Sequence, residues 1–141
     1  PDRALLVAGY WGQVAFAKMV RRLLAAVPAL KLDVVCGEND EARHRLDAAY
    51  RGDGRVTVHG LVDSLAPLMT RCGSVITKPG ISTLVEAHAA ERATFILRGM
   101  PVAEDNNARF AMEHWGAERF TVRGFRRWHR QQQPAGPADT R

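Results

Sequence analysis

One segment of the chain combines a turn, a helix start and a carboxylate, and it carries the strongest chemical signal in the sequence. Val75 and Ile76 end an apolar run, Pro79 and Gly80 interrupt it, and apolar residues at helical spacing follow. A helix that starts directly after a strand points unpaired backbone N–H groups, and the positive end of its dipole, at one place. The segment Thr77–Ala87 therefore predicts a phosphate-binding turn.

Glu86 lies in the helix predicted after this turn, and two roles are open to it. Thr83 and Glu86 fit the S/T-x-x-E capping box, in which the carboxylate accepts a hydrogen bond from a backbone N–H of its own helix. A carboxylate can equally hold both hydroxyls of a vicinal diol such as a ribose, as the acidic residue of dinucleotide-binding folds does. The two-residue pattern alone favours neither role.

A dense run of acids and amides, Glu104, Asp105, Asn106 and Asn107, follows the fifth predicted strand. One helix cap needs one such side chain, and Asp105 or Asn106 would be an ordinary N-cap, yet the run supplies four. Because a sugar hydroxyl both donates and accepts hydrogen bonds, convergent acids and amides are typical of sites for polyhydroxylated ligands.

Other kinds of site are not supported by the sequence. The histidines are scattered without metal-ligand spacing, so we predict no metal and no cofactor. Ser64 and Ser82 lack the context of a nucleophile elbow. Gly9 and Gly12 bring a backbone close enough for a phosphate, but they match neither GxGxxG nor the P-loop, and glycines that only permit a tight turn explain them equally well.

The composition is that of one globular domain. The chain of 141 residues is 46% hydrophobic and 25% charged, close to average globular usage. It is long enough for one core and too short for two ordinary ones. Cys36 and Cys72 belong to no motif, so we expect buried thiols and a reducing, cytoplasmic compartment.

The formal net charge is +5, and most of it belongs to residues 121–141. The charged residues of that part are Arg123, Arg126, Arg127, Arg130, Arg141 and Asp139. Because the segment lacks nucleic-acid-binding motifs, we predict no nucleic-acid partner. Residues 124–141, rich in Arg, Gln and Pro, are predicted to be a basic, disordered tail, with contact to an anionic bilayer or to a further domain as alternatives.

Apolar runs of strand length alternate with helical patterns along residues 1–123. Strands are predicted at 4–8, 32–36, 55–59, 73–76, 94–97 and 119–122, and helices at 14–27, 41–50, 61–71, from 81 onward, and at 106–115. Because each parallel connection needs a crossover, the predicted fold is α/β, an open doubly wound parallel sheet of about six strands with helices on both faces. Ligands of such sheets bind at the carboxyl ends of the strands.

Four segments taken together resemble a known family. Val34–Asn39, Val56–Asp63, Val75–Ala87 and Glu104–Ala108 are similar, in this order, to the C-terminal, Rossmann-like half of GT-B glycosyltransferases. The family-28-like branch, which contains the lipid-II-forming N-acetylglucosaminyltransferase and the diacylglycerol glycosyltransferases, is the best match. The resemblance covers roughly residues 4–122, and the ordered set is far more specific than any one motif.

The resemblance implies a hexosyltransferase without an essential metal or a cofactor. Residues 1–123 would bind the UDP-sugar donor, a hexose or N-acetylhexosamine, and a missing N-terminal domain or subunit would hold a lipid-linked or small-molecule acceptor. This fragment alone would be inactive. Because the chain starts at Pro1 without an initiator methionine, we expect it to be an excised piece. The expected location is cytoplasmic, peripheral at the inner face of the membrane.

The resemblance also assigns roles to individual residues. Gly80, Ile81 and Ser82 would contact the diphosphate, with Gly9 and Gly12 in the first loop nearby. Glu86 would take the ribose hydroxyls, and the backbone of Leu61 and Val62 the uracil. Glu104 and Asp105, supported by Asn107, would contact the sugar or position its loop. No general base is assigned.

Three departures from the family pattern leave the sugar and the activity open. Tyr10 and Trp11 stand in a loop that is usually richer in glycine, Ile81 replaces the second glycine of a Pro-Gly-Gly turn, and Ala103 replaces a sugar-contacting glutamine. Two alternatives therefore remain: an enzyme like the UDP-sugar 2-epimerases, and a non-catalytic nucleotide-binding or interaction module.

Overall fold

Six strands and six helices alternate along the part of the chain that the computed structural model describes, residues 2–7, 13–98 and 102–133. The strands are β1 Arg3–Val7, β2 Lys31–Val35, β3 Val56–His59, β4 Ser74–Thr77, β5 Ala93–Ile96 and β6 Glu118–Arg119. The helices are α1 Gln13–Ala26, α2 Asp40–Ala49, α3 Ala66–Arg71, α4 Ile81–Ala89, α5 Val102–His114 and α6 Val122–Gln132.

The strands form one parallel sheet in the order β3-β2-β1-β4-β5-β6. The chain builds β2 and β3 on one side of β1, and then crosses back to place β4 on the other side. Val7 and Thr77, the last residues of β1 and β4, are register partners. The strand order therefore reverses between these two carboxyl ends, which is where open α/β sheets bind their ligands. The predicted doubly wound fold is confirmed.

Helices cover both faces of the sheet, because the strands are apolar on both sides. On one face, Phe16 and Val20 of α1 pack with Leu46 of α2 and Phe125 of α6. On the other face, α3 and α4 cover Leu5 and Val75, while α5 packs beside α4 over the end of β5. The sheet thus lies between two layers of helices.

Two predicted helix boundaries are wrong by about one turn. α3 begins at Ala66 rather than Leu61, since Pro67 lies in its first turn, a position that proline favours. Leu61 is therefore left in a loop with 74% of its surface exposed. α5 begins by Val102 rather than Asn106, so the polar run 104–107 is helical and not a loop.

The predicted disordered tail is corrected for residues 124–132, which form most of α6. The segment is rich in arginine, but it is amphipathic: Phe125, Trp128 and His129 fall on one helix face and pack against the core. Thr121 caps the helix by accepting a hydrogen bond from the N–H of Gly124 at 2.9 Å. This cap also ends β6 earlier than the predicted 119–122. Residues 134–141 lie outside the described residues.

Candidate nucleotide site

The turn after β4 leaves the start of α4 without a side-chain cap. Gly80 is the N-cap residue, in extended conformation at φ −76° and ψ 130°, and no side chain of the described residues caps the helix. The N–H of Gly80 donates to the carbonyl of Lys78 at 2.8 Å, which closes the turn tightly. The first-turn N–H groups of α4 begin directly at the switch point, where the helix dipole favours an anion.

Hydrogen bonds from three elements hold this turn in place. The hydroxyl of the buried Thr77 donates to the carbonyl of Lys78 at 2.9 Å. The N–H of Lys78 donates to the carbonyl of Val7 at 3.3 Å, which ties the turn to β1. From α5, the side-chain amide of Asn107 donates to the carbonyl of Pro79 at 3.2 Å. Asn107, expected in a supporting role, thus contacts the predicted phosphate turn itself.

Glu86 lies in the second turn of α4, and the capping-box role is wrong for it. The box requires Thr83 at the N-cap, but the N-cap is Gly80, and Thr83 is already the third helical residue. Glu86 is half-buried, one turn after the exposed Ser82 and away from the buried Leu84. Within residues 2–7, 13–98 and 102–133, its carboxylate has no hydrogen-bond or ion-pair partner. The diol-binding role of Glu86 stays a prediction.

The carboxylate of Asp105 is bound by two arginines. It accepts hydrogen bonds from Arg119 of β6 at 2.8 Å and from Arg109 of α5 at 3.3 Å. The hydrogen bond from Arg119 lowers the pKa of Asp105 below its ordinary value. Of the two roles expected for Asp105, sugar contact and positioning, these contacts match the second.

Three other predicted site residues fall outside what the structure describes. Gly9 and Gly12 lie outside the described residues. Glu104 is in the first turns of α5, and its side chain is likewise outside them. Their predicted contacts to the phosphates and the sugar stay predictions.

Leu61 and Val62 follow β3 at the same edge of the sheet as the turn. β3 lies three strands away from β4, which at the usual strand spacing is about 14 Å. Val62 is half-buried against the core beneath α3, whereas Leu61 is exposed. The loop therefore lies at a distance from the Gly80 turn that an extended nucleoside diphosphate can bridge.

A buried ionic cluster beneath this loop was missed at the sequence level. Asp33, in the middle of β2, is fully buried and accepts hydrogen bonds from His59 at 2.9 Å, Arg71 at 3.0 Å and Arg3 at 3.2 Å. Burial alone would raise the pKa of Asp33, but the hydrogen bonds from Arg71 and His59, together with the charges of Arg71 and Arg3, hold it below its ordinary value. The available signal was an acidic residue inside the apolar run Leu32–Val35.

The Asp33 cluster connects the two elements that flank the loop 60–65, β3 and α3. His59 is the last residue of β3 and directly precedes Gly60 and Leu61, while Arg71 ends α3. Both side chains bind the same carboxylate, so the end of β3 and the end of α3 are tied to one residue of β2.

The described residues also contain a cleft away from this edge. It has a volume of about 540 Å³ and is lined by the C-terminal half of α4 and by α5. The rings of His88 and Trp115 are stacked there, with their centroids 4.5 Å apart. It lies at the opposite end of α4 from Gly80, so it is separate from the turn. Among the described residues, no cluster of three or more His, Cys, Asp or Glu side chains is arranged to hold a metal ion.

The strand order and the helix that begins at the switch point define the class of the domain, a Rossmann-like α/β domain. At the sequence level, the chain is 32% identical over 105 residues to the processive diacylglycerol beta-glucosyltransferase of Bacillus mycoides (strain KBAB4). The match covers 74% of this chain and 27% of the relative, so the chain spans little more than a quarter of that protein's length. No protein-family model matches the chain.

Solved structures share the fold. The glycotransferase of kitacinnamycin gives a TM-score of 0.66 at 20% identity over 87% of this chain and 31% of its own. MurG of Acinetobacter baumannii gives a TM-score of 0.63 at 20% identity, over 93% of this chain and 41% of MurG. UDP-GlcNAc 2-epimerase from Neisseria meningitidis, bound to UDP-GlcNAc, gives a TM-score of 0.63 at 12% identity, over 92% of this chain and 35% of the epimerase.

The structural likeness by itself does not separate transferases from epimerases, but the sequence relative is a glycosyltransferase. The comparisons confirm the resemblance to the C-terminal half of GT-B glycosyltransferases of the family-28-like type.

Proposed function

We propose that this chain is the donor-binding half of a hexosyltransferase and that it binds a UDP-sugar at the carboxyl edge of its sheet. The observation that carries the proposal is the uncapped start of α4 at the switch point, followed one turn later by the unpartnered, half-buried carboxylate of Glu86 among the described residues. A diphosphate and a ribose need these two groups in this order.

The diphosphate contacts are assigned to the first turn of α4. The N–H of Gly80 is already bonded to the carbonyl of Lys78, so the N–H groups of Ile81 and Ser82 are the donors. Gly80 contributes by having no side chain at the N-cap. In glycosyl transfer, negative charge develops on the departing diphosphate, and fixed N–H dipoles aimed at that position stabilise the transition state.

The remaining contacts follow the sheet edge in both directions from this turn. Toward β3, the backbone of Leu61 and Val62 receives the uracil. Toward β5, Glu104 contacts the sugar, while Asp105 and Asn107 act as positioning residues through Arg119 and Pro79. The choice of UDP is supported by the neighbour of the same fold bound to UDP-GlcNAc.

The acceptor is proposed to be a lipid held by a second domain or subunit. The sequence relative is named a diacylglycerol glucosyltransferase, and this chain spans 27% of it. Transfer would therefore need the other part, at the surface of a membrane, whereas nucleotide binding would not. None of the helices in the described ranges is long and apolar enough to cross a bilayer.

Calorimetric titration of the 141-residue chain with UDP tests the proposal. We expect binding in the micromolar to millimolar range, since the second half of the cleft is absent. Glu86→Ala removes charge-assisted hydrogen bonds to the ribose and should weaken binding by about 2 kcal/mol, roughly 30-fold. Glu113→Ala, at an exposed glutamate in the last turn of α5, is the matched control and should bind like the parent chain. Absence of UDP binding, or equal affinity of both variants, would sink the assignment.

A further inference from the structure

The cleft between the ends of α4 and α5, which we call the α4–α5 cleft, has the size of a small-molecule site. Its volume of about 540 Å³ is within the range of pockets that bind small ligands. It is lined by apolar side chains, among them Leu84, Ala111 and Trp115, and by four polar ones, His88, Glu91, Arg92 and Thr94. Because α4 begins beside the Gly80 turn and ends at the cleft, the cleft lies at the opposite edge of the sheet from the proposed nucleotide site.

One wall of the α4–α5 cleft is a fixed aromatic ring, the indole of Trp115. The ring of His88 stacks on it with an angle of 11° between the two planes. Phe110 of α5 meets the indole edge-on, with the ring centroids 5.2 Å apart. The indole is thus held from two sides. Of the aromatic side chains, tryptophan attracts a cation most strongly when the cation is placed over its face.

The helix ends at this edge of the sheet favour positive charge. α4 and α5 both end at the cleft, so the negative ends of their dipoles lie there. The end of α3, at the same edge, shows what such an end attracts: the guanidinium of Arg92 donates to the carbonyls of Met69 at 2.9 Å and of Thr70 at 3.1 Å. Arg92 lines the cleft but is therefore bound to α3. The last turns of α4 and α5 carry only histidines, His88 and His114, as basic residues.

Glu91 adds a carboxylate to the α4–α5 cleft from a strained backbone position. Among the described residues, it is the single non-glycine residue with a positive φ, 57°. The N–H of Arg92 donates to the carbonyl of Ala87 at 3.0 Å across this residue, which is a helix ending that normally has glycine at the left-handed position. After α5 the chain does use glycine, Gly116 with φ 70°. In the described part of the chain, the exposed carboxylate of Glu91 has no hydrogen-bond or ion-pair partner. A strained residue beside a cavity is typical of a functional site.

We propose that the α4–α5 cleft binds a small organic cation, an ammonium or guanidinium group on an apolar or aromatic body. The carboxylate of Glu91 and the negative ends of two helices attract the charge, while Trp115 and the apolar wall take the body. An anion would meet the same carboxylate and the same helix ends with the wrong sign. The length of α4, nine residues or about 13 Å, separates this cleft from the Gly80 turn.

Three ligands of similar shape and different charge test the proposal. The ¹⁵N-labelled 141-residue chain is titrated with 2-phenylethylammonium, and the amide shifts of residues 88–92 and 115–117 are followed by NMR. We expect saturable shifts, with the neutral 2-phenylethanol binding about fivefold more weakly and the anionic phenylacetate more weakly still. Equal affinity for the ammonium and the alcohol would overturn the proposal, and so would tighter binding of phenylacetate.

Glu91→Gln removes the carboxylate and should weaken binding of 2-phenylethylammonium about fivefold. The matched control is Glu118→Gln, which removes the same charge from an exposed position of β6 outside the lining of the cleft. The control should bind like the parent chain. Equal losses in the two variants would show that net charge alone is responsible and would overturn the proposal.

Glu91→Gly distinguishes a binding role from a structural one. Glycine relieves the left-handed strain, so the equilibrium constant for unfolding in urea should fall about fivefold, while binding of 2-phenylethylammonium weakens as in Glu91→Gln. A less stable Glu91→Gly variant would mean that the side chain supports the fold, and it would overturn the proposal. UDP affinity should be the same in all three variants, which separates this cleft from the nucleotide site.

Discussion

The substitution Asp33→Asn removes a fully buried charge while keeping the shape of the side chain. In the folded protein the carboxylate accepts hydrogen bonds from Arg71, His59 and Arg3. The amide of the asparagine has only one acceptor oxygen, and its NH₂ group would face the N–H groups that donate to Asp33 in the parent chain. Breaking a buried ionic cluster from one side costs about 3–5 kcal/mol. The side chains of Arg71 and Arg3 are 48% and 30% exposed, so they regain water, and we expect the lower end, about 3 kcal/mol.

Urea unfolding followed by circular dichroism measures this loss. With a denaturant slope of about 2 kcal/mol per molar, the midpoint should fall by roughly 1.5 M without a change of slope. The control Asp53→Asn disrupts a partly exposed pair with Arg55 and should leave the midpoint within experimental error. A loss below about 1 kcal/mol for Asp33→Asn, the range of a surface ion pair, would refute the reasoning.

The same cluster predicts a pH dependence with a definite sign. Because the pKa of Asp33 is held below its ordinary value of 3.8, the carboxylate stabilises the fold fully at pH values above 3.8. The contribution is lost as the pH falls through the lowered pKa. The stability difference between the parent chain and Asp33→Asn should therefore be constant near neutrality and should shrink in acid. A difference that grows in acid would contradict the assigned direction.

Two further predictions concern the core. Burial raises the pKa of Cys72 to about 12 and that of Cys36 to about 11. A thiol reagent at about pH 8 should therefore modify both cysteines in urea and neither in the native chain. Rapid labelling of the native chain would contradict the burial of the thiols. Phe125 of α6 is fully buried, with its ring 5.2 Å from that of Phe95, so Phe125→Ala should lower the free energy of unfolding in urea by about 3–5 kcal/mol. A loss below about 1 kcal/mol would mean that α6 is a dispensable tail.

The strands were predictable because each is a short apolar run between glycine, proline or polar residues. β2 was placed at 32–36 and is found at Lys31–Val35, and β5 at 94–97 and found at Ala93–Ile96. The order of the strands was not predictable in the same way. The pairing of β1 with β4 joins residues far apart in the chain, and no local pattern encodes it.

The errors occur where polar composition and helical periodicity point in different directions. α6 is dominated by arginine and glutamine, and only Phe125, Trp128 and His129 reveal its buried face. The run 104–107 looked like a loop because it is polar, yet acids in the first turns of a helix are favoured by its dipole. In both places the spacing of the few apolar residues, and not the polar composition, determines the structure.

The position of the predicted phosphate turn in the fold could be inferred from the sequence, but the contacts of its residues could not. The segment Thr77–Ala87 was identified as a phosphate turn, and the structure places its helix at the switch point. The capping role of Glu86 required the N-cap at Thr83, whereas the structure has it at Gly80, about one helical turn earlier. Sequence patterns do not define helix boundaries to that precision. The bond from Asn107 to Pro79 depends on tertiary packing and has no local signal.

The bare N-cap at Gly80 has a consequence for the evolution and engineering of this domain. A serine or an aspartate there would close the first turn of α4 with its own oxygen and stabilise the helix by a few tenths of a kcal/mol. The same oxygen would occupy the N–H groups that the proposed ligand needs. Selection for thermal stability alone would therefore favour replacing Gly80, and only selection for binding would keep it. This is the trade-off between stability and function that is common at binding sites.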